Sequence, residues 1–241
     1  MCGTCGCAEA PAGRRTVELE HDLLGKNDSI AADNRRWLRA HRVLAVNLMS
    51  SPGSGKTTLL ERTVRELIGE LPVAVVEGDQ ETRLDADRIT ATGAPVVQLN
   101  TGVGCHLDAE MLRRGLSGLQ PPTGSVLFIE NVGNLVCPAL FDLGEEHRAV
   151  VVSVTEGADK PAKYPHMFAT ADLVLVNKID LLPYVDFNLA AFTADLQRSR
   201  PGITVLPVSA TRGHGLAAWI DWLRHHAEHL GAAVAAAGEV R

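Results

Sequence analysis

Short apolar runs alternate along this chain with longer segments of helical period. From Val43 onward, runs dominated by Val, Ile and Leu recur at Val43–Met49, Val73–Glu77, Val96–Leu99, Ser125–Glu130, Ala149–Thr155, Asp172–Val176 and Ile203–Val208. They are near-continuously apolar, so as strands they are covered on both faces, as in a parallel sheet flanked by helices. The pattern predicts an α/β fold over residues 43–231: a three-layer, mostly parallel sheet with helices on both faces. Its last helix is expected over about Leu216–Leu230, where Leu216, Trp219, Ile220, Leu223 and Leu230 share one face. Gly231 reads as its stop. Residues 18–42 predict a helical linker, broken near Gly25-Lys26-Asn27-Asp28 and resuming through Ala31–Arg42. Residues 1–17, rich in Cys, Gly and Ala without either period, predict a flexible arm, and 232–241 a frayed tail.

Composition narrows the class. The chain has 241 residues and is 46% hydrophobic, enough for one domain with a real core. Its net charge of −6, without a basic run, argues against nucleic acid as a partner. No apolar run approaches the roughly 18–20 residues that span a bilayer. The N-terminus lacks a charged-then-apolar signal pattern. These features predict a cytoplasmic protein without a membrane partner. Cysteines stay reduced in that compartment, so the five present point to metal or redox chemistry rather than disulfides.

The strongest local signal is Ser50-Ser51-Pro52-Gly53-Ser54-Gly55-Lys56-Thr57-Thr58, set between the first apolar run and the helical run Leu59–Ile68. Strand, glycine-rich turn and helix in that order are the context of a phosphate-binding P-loop. Gly53 and Gly55 let backbone N–H groups turn inward, and with Ser54, Thr58 and the positive helix end they form an anion cradle. Lys56 would reach the terminal phosphates and the Thr57 hydroxyl a Mg2+ ion. Ser50 stands where the strict pattern asks for glycine; a plain Gly/Ser turn is the alternative.

A second motif, Asn177-Lys178-Ile179-Asp180, ends the run Leu173–Val176. The Asp180 carboxylate can accept two hydrogen bonds from guanine N1–H and its exocyclic amine. Adenine lacks that donor edge, so the box selects GTP over ATP. Asn177 and Lys178 would brace the loop and lie along the base. Ser209-Ala210 follows the last apolar run, where GTPases place a backbone N–H for guanine O6. Phosphate loop and base loop both fall at carboxyl ends of strands, as ligand sites in such sheets do. Glu130-Asn131-Val132-Gly133 stands where GTPases carry a γ-phosphate sensor. Glu130 would hold Mg2+ and Gly133 offer its N–H. Asn134 follows, where Ras-like GTPases orient water with Gln, so intrinsic hydrolysis is expected to be slow. Asp79 is a further Mg2+ or water-positioning candidate. Lys56, Asp79 and Glu130 are therefore the expected catalytic groups. Asp85 is a weaker candidate that a solvated helix face explains equally well.

Metal chemistry has two candidate places. Cys2, Cys5 and Cys7 form C-x-x-C-x-C, and three thiols so spaced can converge on one soft or borderline ion. A planar nitrogen and thiolate set would suit Ni2+, a tetrahedral one Zn2+. Cys105 and His106 follow the third run and Cys137 the fourth, so the topology can bring them together. Three donors leave an ion under-coordinated unless water or a second subunit contributes. Structural cysteines with a surface histidine are the alternative. His225, His226 and His229 near the C-terminus read as an exposed helical face that can bind metal adventitiously.

Taken with Cys2-x-x-Cys5-Gly6-Cys7, Ser51–Thr58, Glu77-Gly78-Asp79, Cys105–Ala109, Glu130–Pro138 and Glu156-Gly157-Ala158-Asp159-Lys160-Pro161, nearly the whole chain resembles the HypB family. These are GTPases that help insert nickel into NiFe hydrogenase and in some bacteria support urease. The resemblance implies a SIMIBI-class P-loop NTPase fold and GTP-dependent homodimerisation. It implies a nickel site at Cys2, Cys5 and Cys7, and a zinc or nickel site at Cys105, His106 and Cys137 on the dimer interface. The implied partners are a HypA-type metallochaperone and the hydrogenase large subunit. Some relatives carry a long His-rich stretch; residues 8–42 here hold His21 and His41 alone, which argues against nickel storage. A passive metal carrier, or a GTPase chaperone for a different metalloenzyme, are the competing functions.

Overall fold

The structure, a computed structural model, describes residues 12–79, 83–102 and 104–238, with side chains excepted at 12–23 and 235–238. All seven apolar runs are strands: β1 Leu44–Ser50, β2 Val73–Asp79, β3 Val96–Asn100, β4 Val126–Glu130, β5 His147–Ser153, β6 Leu173–Asn177 and β7 Thr204–Pro207. They form one sheet in the order β3-β2-β4-β1-β5-β6-β7, and every pairing is parallel. The helices are α1 Ala12–Ala40, α2 Lys56–Leu67, α3 Leu84–Thr90, α4 Ala109–Leu119, α5 Cys137–Leu140, α6 Lys160–Lys163, α7 Pro165–Thr170, α8 Leu189–Ser199 and α9 Leu216–Gly238.

Strand periodicity sorts the core into two layers. Leu44, Val46, Leu48, Phe128, Val151 and Leu175 face α2 and α9, meeting Leu60, Val64, Trp219 and Leu223. The intervening residues face the other way: Met49, Val150 and Val174 meet Met167, Phe168 and Phe192. Ala45, Val76 and Ile129 meet Leu38, Leu112 and Leu116. Each fully buried Leu, Val or Phe stabilises the fold by about 1.5–3 kcal/mol, so both helical layers are held firmly. The indole N–H of the buried Trp219 donates to Thr63 Oγ1 at 2.9 Å, which removes the cost of hiding it.

Three expected boundaries are corrected. α1 begins at Ala12, inside the segment 1–17 expected as an arm without helical period. α1 is continuous through Gly25–Asp28. The polar residue that suggested a break, Asn27, is 6% exposed and faces the domain. It accepts from the Ala109 N–H at 2.9 Å and donates to the Asp142 carbonyl at 2.8 Å. Tertiary bonds thus outweigh its weak helix propensity. Asn27, Ala31, Asn34 and Leu38 make one buried stripe, and Asn34 Nδ2 donates to the carbonyls of Ala109 and Leu143 at 2.8 and 2.9 Å. This helix is a strap across the domain, fastening the start of α4 to the loop before β5. α9 continues past Gly231 to Gly238, because the alanines that follow favour helix.

Candidate functional site

The chain leaves β1 for the left side of the sheet, then β4 returns beside β1 and the right side is built outward from β5. The crevice at the carboxyl ends of β1 and β4 is therefore the topological switch point. Here Gly53, Ser54, Gly55, Lys56, Thr57 and Thr58 line a cleft of about 590 Å3 with Asp79, Gly133 and Lys178. A cleft of similar volume, about 630 Å3, lies between α1 and α4 beside Trp37 and Arg113, so chemistry rather than size distinguishes the two. Ser50 ends β1 buried, without a left-handed backbone, so glycine is not needed there. Gly55 is required twice over. Its φ of 90° is left-handed, and a Cβ would stand 2.6 Å from Asn177 Nδ2. A Cβ on Gly133 would press to 3.2 Å on the Pro52 backbone, so the loop after β4 rides directly on the phosphate loop.

Lys56 Nζ donates to Glu130 Oε1 at 3.0 Å, and Thr57 Oγ1 donates to the same oxygen at 2.6 Å. Glu130 is buried, and among the described residues its other oxygen has no hydrogen-bond partner. The parallel register sets Glu77 beside Glu130. Burial, then the charges of Glu130, Asp79 and Asp85, push the Glu77 carboxyl up to about 8 against the opposing pull of Lys56. An acid cluster beside a threonine hydroxyl, with buried carboxylate oxygens unpartnered, fits Mg2+ held by Thr57, Glu130 and Asp79. Asp85 is paired with Arg88 at 3.5 Å on the face of α3.

The base box buttresses the cradle. Asn177 Nδ2 donates to the Ser54 carbonyl at 2.9 Å, and its Oδ1 accepts from the Ala210 N–H at 3.1 Å. Lys178, itself left-handed at φ 62°, donates from Nζ to the Gly53 carbonyl at 2.6 Å. Ser209 Oγ donates to Asp180 Oδ1 at 2.5 Å. Asn177 with Ala210, and Asp180 with Ser209, thus form two hydrogen-bonded pairs on the loops after β6 and β7. The Ala210 N–H, expected to meet guanine O6, is already engaged by Asn177.

The interior thiols and imidazole come together. One donor atom each from Cys105, His106 and Cys137 lie within 4.8 Å of one another, the one such group of three among the described residues. The sulfurs are 2.8 Å apart, and His106 Nδ1 is 3.6 Å from Cys105 Sγ. All three side chains are half-buried. The His106 ring stacks on Phe141 at 4.0 Å, and burial holds its imidazolium below the usual range. The Cys105 contact and burial push the Cys137 thiol up. Two sulfurs and an imidazole suit nickel or zinc. Asp108 caps α4 by accepting from the Met111 N–H at 2.7 Å, which fixes the loop carrying Cys105 and His106. Cys2, Cys5 and Cys7 lie outside the described residues.

Two participants escaped the sequence, and a third, Asn134, is read there for a different role. Glu77 gave no signal beyond its motif. Asn131 accepts from the Leu107 N–H at 3.1 Å and joins the loops that carry Cys105 and Cys137. Asn134 donates to Cys137 Sγ at 3.6 Å and accepts from the Val136 N–H at 2.7 Å, so it braces the loop that carries the thiol.

Residues 44–207 match the family described as "CobW/HypB/UreG, nucleotide-binding domain". The chain is 56% identical over 209 residues to hydrogenase maturation factor HypB of Rhizobium leguminosarum bv. viciae, covering 87% of this chain and 70% of that one. To its counterpart from Escherichia coli (strain K12) it is 54% identical over 210 residues, covering 87% and 72%. Among solved structures, HypB of Archaeoglobus fulgidus superposes with a TM-score of 0.79 at 39% identity, covering 85% of this chain and all of that one. HypB of Helicobacter pylori in complex with nickel superposes with a TM-score of 0.79 at 36% identity, covering 85% and 96%.

Proposed function

The chain belongs to the CobW/HypB/UreG family, on its HypB branch of SIMIBI-class P-loop GTPases, and from that premise we propose that it is a GTP-hydrolysing nickel metallochaperone for NiFe-hydrogenase maturation. The observation that carries this is one loop. Glu130 touches Lys56 and Thr57 at its start, and Cys137 touches Cys105 at its end. Nucleotide and metal donors therefore share a short connection, tied near its start by the Asn131–Leu107 bond.

The P-loop N–H groups and Lys56 hold the phosphates, and Asp180 selects guanine. An arriving phosphate competes with Glu130 for Lys56 and leaves Glu130 and Thr57 to face Mg2+ together. Bound Mg2+ neutralises charge on the phosphates. Gly133 senses the γ-phosphate through its N–H. With Asn134 standing where Ras-like GTPases use a water-orienting Gln, intrinsic hydrolysis is slow. Nickel or zinc is cargo at Cys105, His106 and Cys137, and nickel at Cys2, Cys5 and Cys7. Three donors leave room for water or a second subunit. Val136 and Leu140, flanking Cys137, are exposed at 54% and 48%, an apolar surface suited to a GTP-dependent homodimer. A HypA-type metallochaperone and the hydrogenase large subunit are the proposed further partners. Among the described residues no helix is long and apolar enough to cross a membrane, and the proposed location is the cytoplasm.

The test is titration of nickel and of zinc into the full chain loaded with a GTP analogue or with GDP, with sizing of each sample. Coupling of about 1–3 kcal/mol predicts affinities differing roughly 5–150-fold between the nucleotide states. Equal affinity together with unchanged size would reduce the protein to a passive carrier. Replacing both Cys105 and Cys137 by Ser removes the nucleotide-sensitive fraction of binding.

A further inference from the structure

The later turns of α9 carry three imidazoles, His225, His226 and His229, and a fourth, His147, opens β5 beside them. Their rings form a continuous row. Centroids are 4.4 Å apart for His147 and His226, 5.2 Å for His226 and His225, and 4.2 Å for His225 and His229. His147 pairs with Val46 early in β1, so the row lies at the amino ends of the strands. The phosphate loop and the thiol cluster are at the opposite end.

Two features make this row a ligand set rather than a polar face. His225 and His229 are both exposed and one helical turn apart, the spacing by which a helix offers two imidazoles to one ion. His226 and His147 each have one ring nitrogen already occupied. His226 Nδ1 bonds the Trp222 carbonyl at 2.7 Å, and His147 Nδ1 faces the Asp172 carboxylate at 3.6 Å. With the proton on Nδ1, Nε2 of each ring is free to ligate, and such outer partners orient metal-binding imidazoles. The rings meet edge to face, and as placed no three of their donor atoms lie within 4.8 Å of one another, so binding an ion requires side-chain rotation of the exposed pair.

We propose that His225 and His229, with His226 as a third imidazole, bind one divalent transition ion at the face remote from the nucleotide. Nickel, zinc and copper(II) are the ions that such donors suit. The site needs neither thiolate nor nucleotide, so it stands apart from the GTP-linked function.

Nickel titration of the full chain tests it, read by equilibrium dialysis and by tryptophan emission. Trp222 stacks on His226 at 4.0 Å and so reports an ion at the row by quenching. The wild type is expected to hold one nickel equivalent more than His225→Asn/His229→Asn, whose affinity for that equivalent falls about 10–100-fold. His226→Asn weakens it less, His166→Asn (a lone exposed histidine) leaves it unchanged, and Trp222→Phe loses the quenching at that equivalent. Thiolate-to-nickel absorption stays constant across all four, so failure here is distinguishable from failure at the cysteine sites. Circular dichroism verifies that α9 persists in the double variant. Equal stoichiometry and quenching in wild type and double variant overturn the proposal. An equal loss in His166→Asn also overturns it, by reducing the effect to diffuse surface binding.

Discussion

The phosphate cleft and the thiol–imidazole cluster lie at the same end of one sheet, yet they are built on opposite principles. The cleft is overdetermined. Its carbonyls at Gly53 and Ser54 are held by Lys178 and Asn177, and its lysine and threonine converge on one buried carboxylate. The cluster has three half-buried donors on two loops, fastened by a helix cap and one asparagine. On the proposed function, a site that recognises the same triphosphate each cycle would gain from pre-organised rigidity, and a site that releases its ion would gain from an incomplete shell.

Lys56→Ala breaks this contrast most sharply. Lys56 and Glu130 are 11% and 3% exposed, and removing one partner of a buried pair costs about 3–5 kcal/mol. Nucleotide affinity, measured by calorimetry, is expected to fall by roughly a hundredfold or more. Metal affinity of the nucleotide-free protein should hold within about threefold. A parallel loss of metal binding would show that the cluster depends on the cleft even without nucleotide.

Gly55→Ala probes the rigidity itself. The φ of 90° strains any side chain, and the new Cβ displaces Asn177 from Ser54 and Ala210. Strain and two perturbed buried bonds together cost about 2–4 kcal/mol of stability, read by denaturant unfolding. Discrimination between GTP and ATP should drop with it, because Asn177 also positions the loop of Asp180. Unchanged selectivity would separate base recognition from the cradle.

These two residues also show what a sequence discloses. Gly55 and Lys56 belong to a contiguous motif whose geometry follows from backbone rules, so the phosphate loop is legible in one dimension. So are the strands, because burial on both faces writes long apolar runs. The thiol cluster needed topology: Cys105 and Cys137 follow the carboxyl ends of β3 and β4, and their meeting is visible once β3, β2 and β4 are placed side by side. Asn131 and Glu77 were silent, since a buried amide and a raised carboxyl are defined by neighbours that are distant in the chain. Asn27 misled for the same reason, as two tertiary bonds turned an apparent helix break into a fastening.

Asn131→Ala tests the joint between the two sites. The side chain is 1% exposed, accepts from the Leu107 and Val132 N–H groups at 3.1 and 3.0 Å, and donates to Asn47 Oδ1 at 3.3 Å. Its loss leaves buried N–H groups unmet and costs about 1–3 kcal/mol. Each site should still bind its own ligand, whereas the difference in metal affinity between GTP-analogue and GDP states should shrink toward unity. Full coupling in the variant would move the connection onto the Glu130–Cys137 segment alone.

At the acid end Glu77→Gln gives the smallest effect, and across pH it gives the clearest sign. The carboxyl is pushed up to about 8 from its usual 4.5, chiefly by burial and by Glu130. Between those values the folded protein binds a proton that the unfolded chain has released, so stability contributed by this group is full below about pH 4.5 and falls as pH rises through about 8. Glutamine copies the protonated acid in shape and keeps a donor, but it does not titrate. Unfolding midpoints measured across that window should decline with pH more steeply in the wild type than in Glu77→Gln, while the two converge at the acid end. Parallel curves would mean that Glu77 is ionised in the folded protein beside Glu130, and the acid cluster would then carry one more negative charge toward Mg2+ than the burial of Glu77 implies.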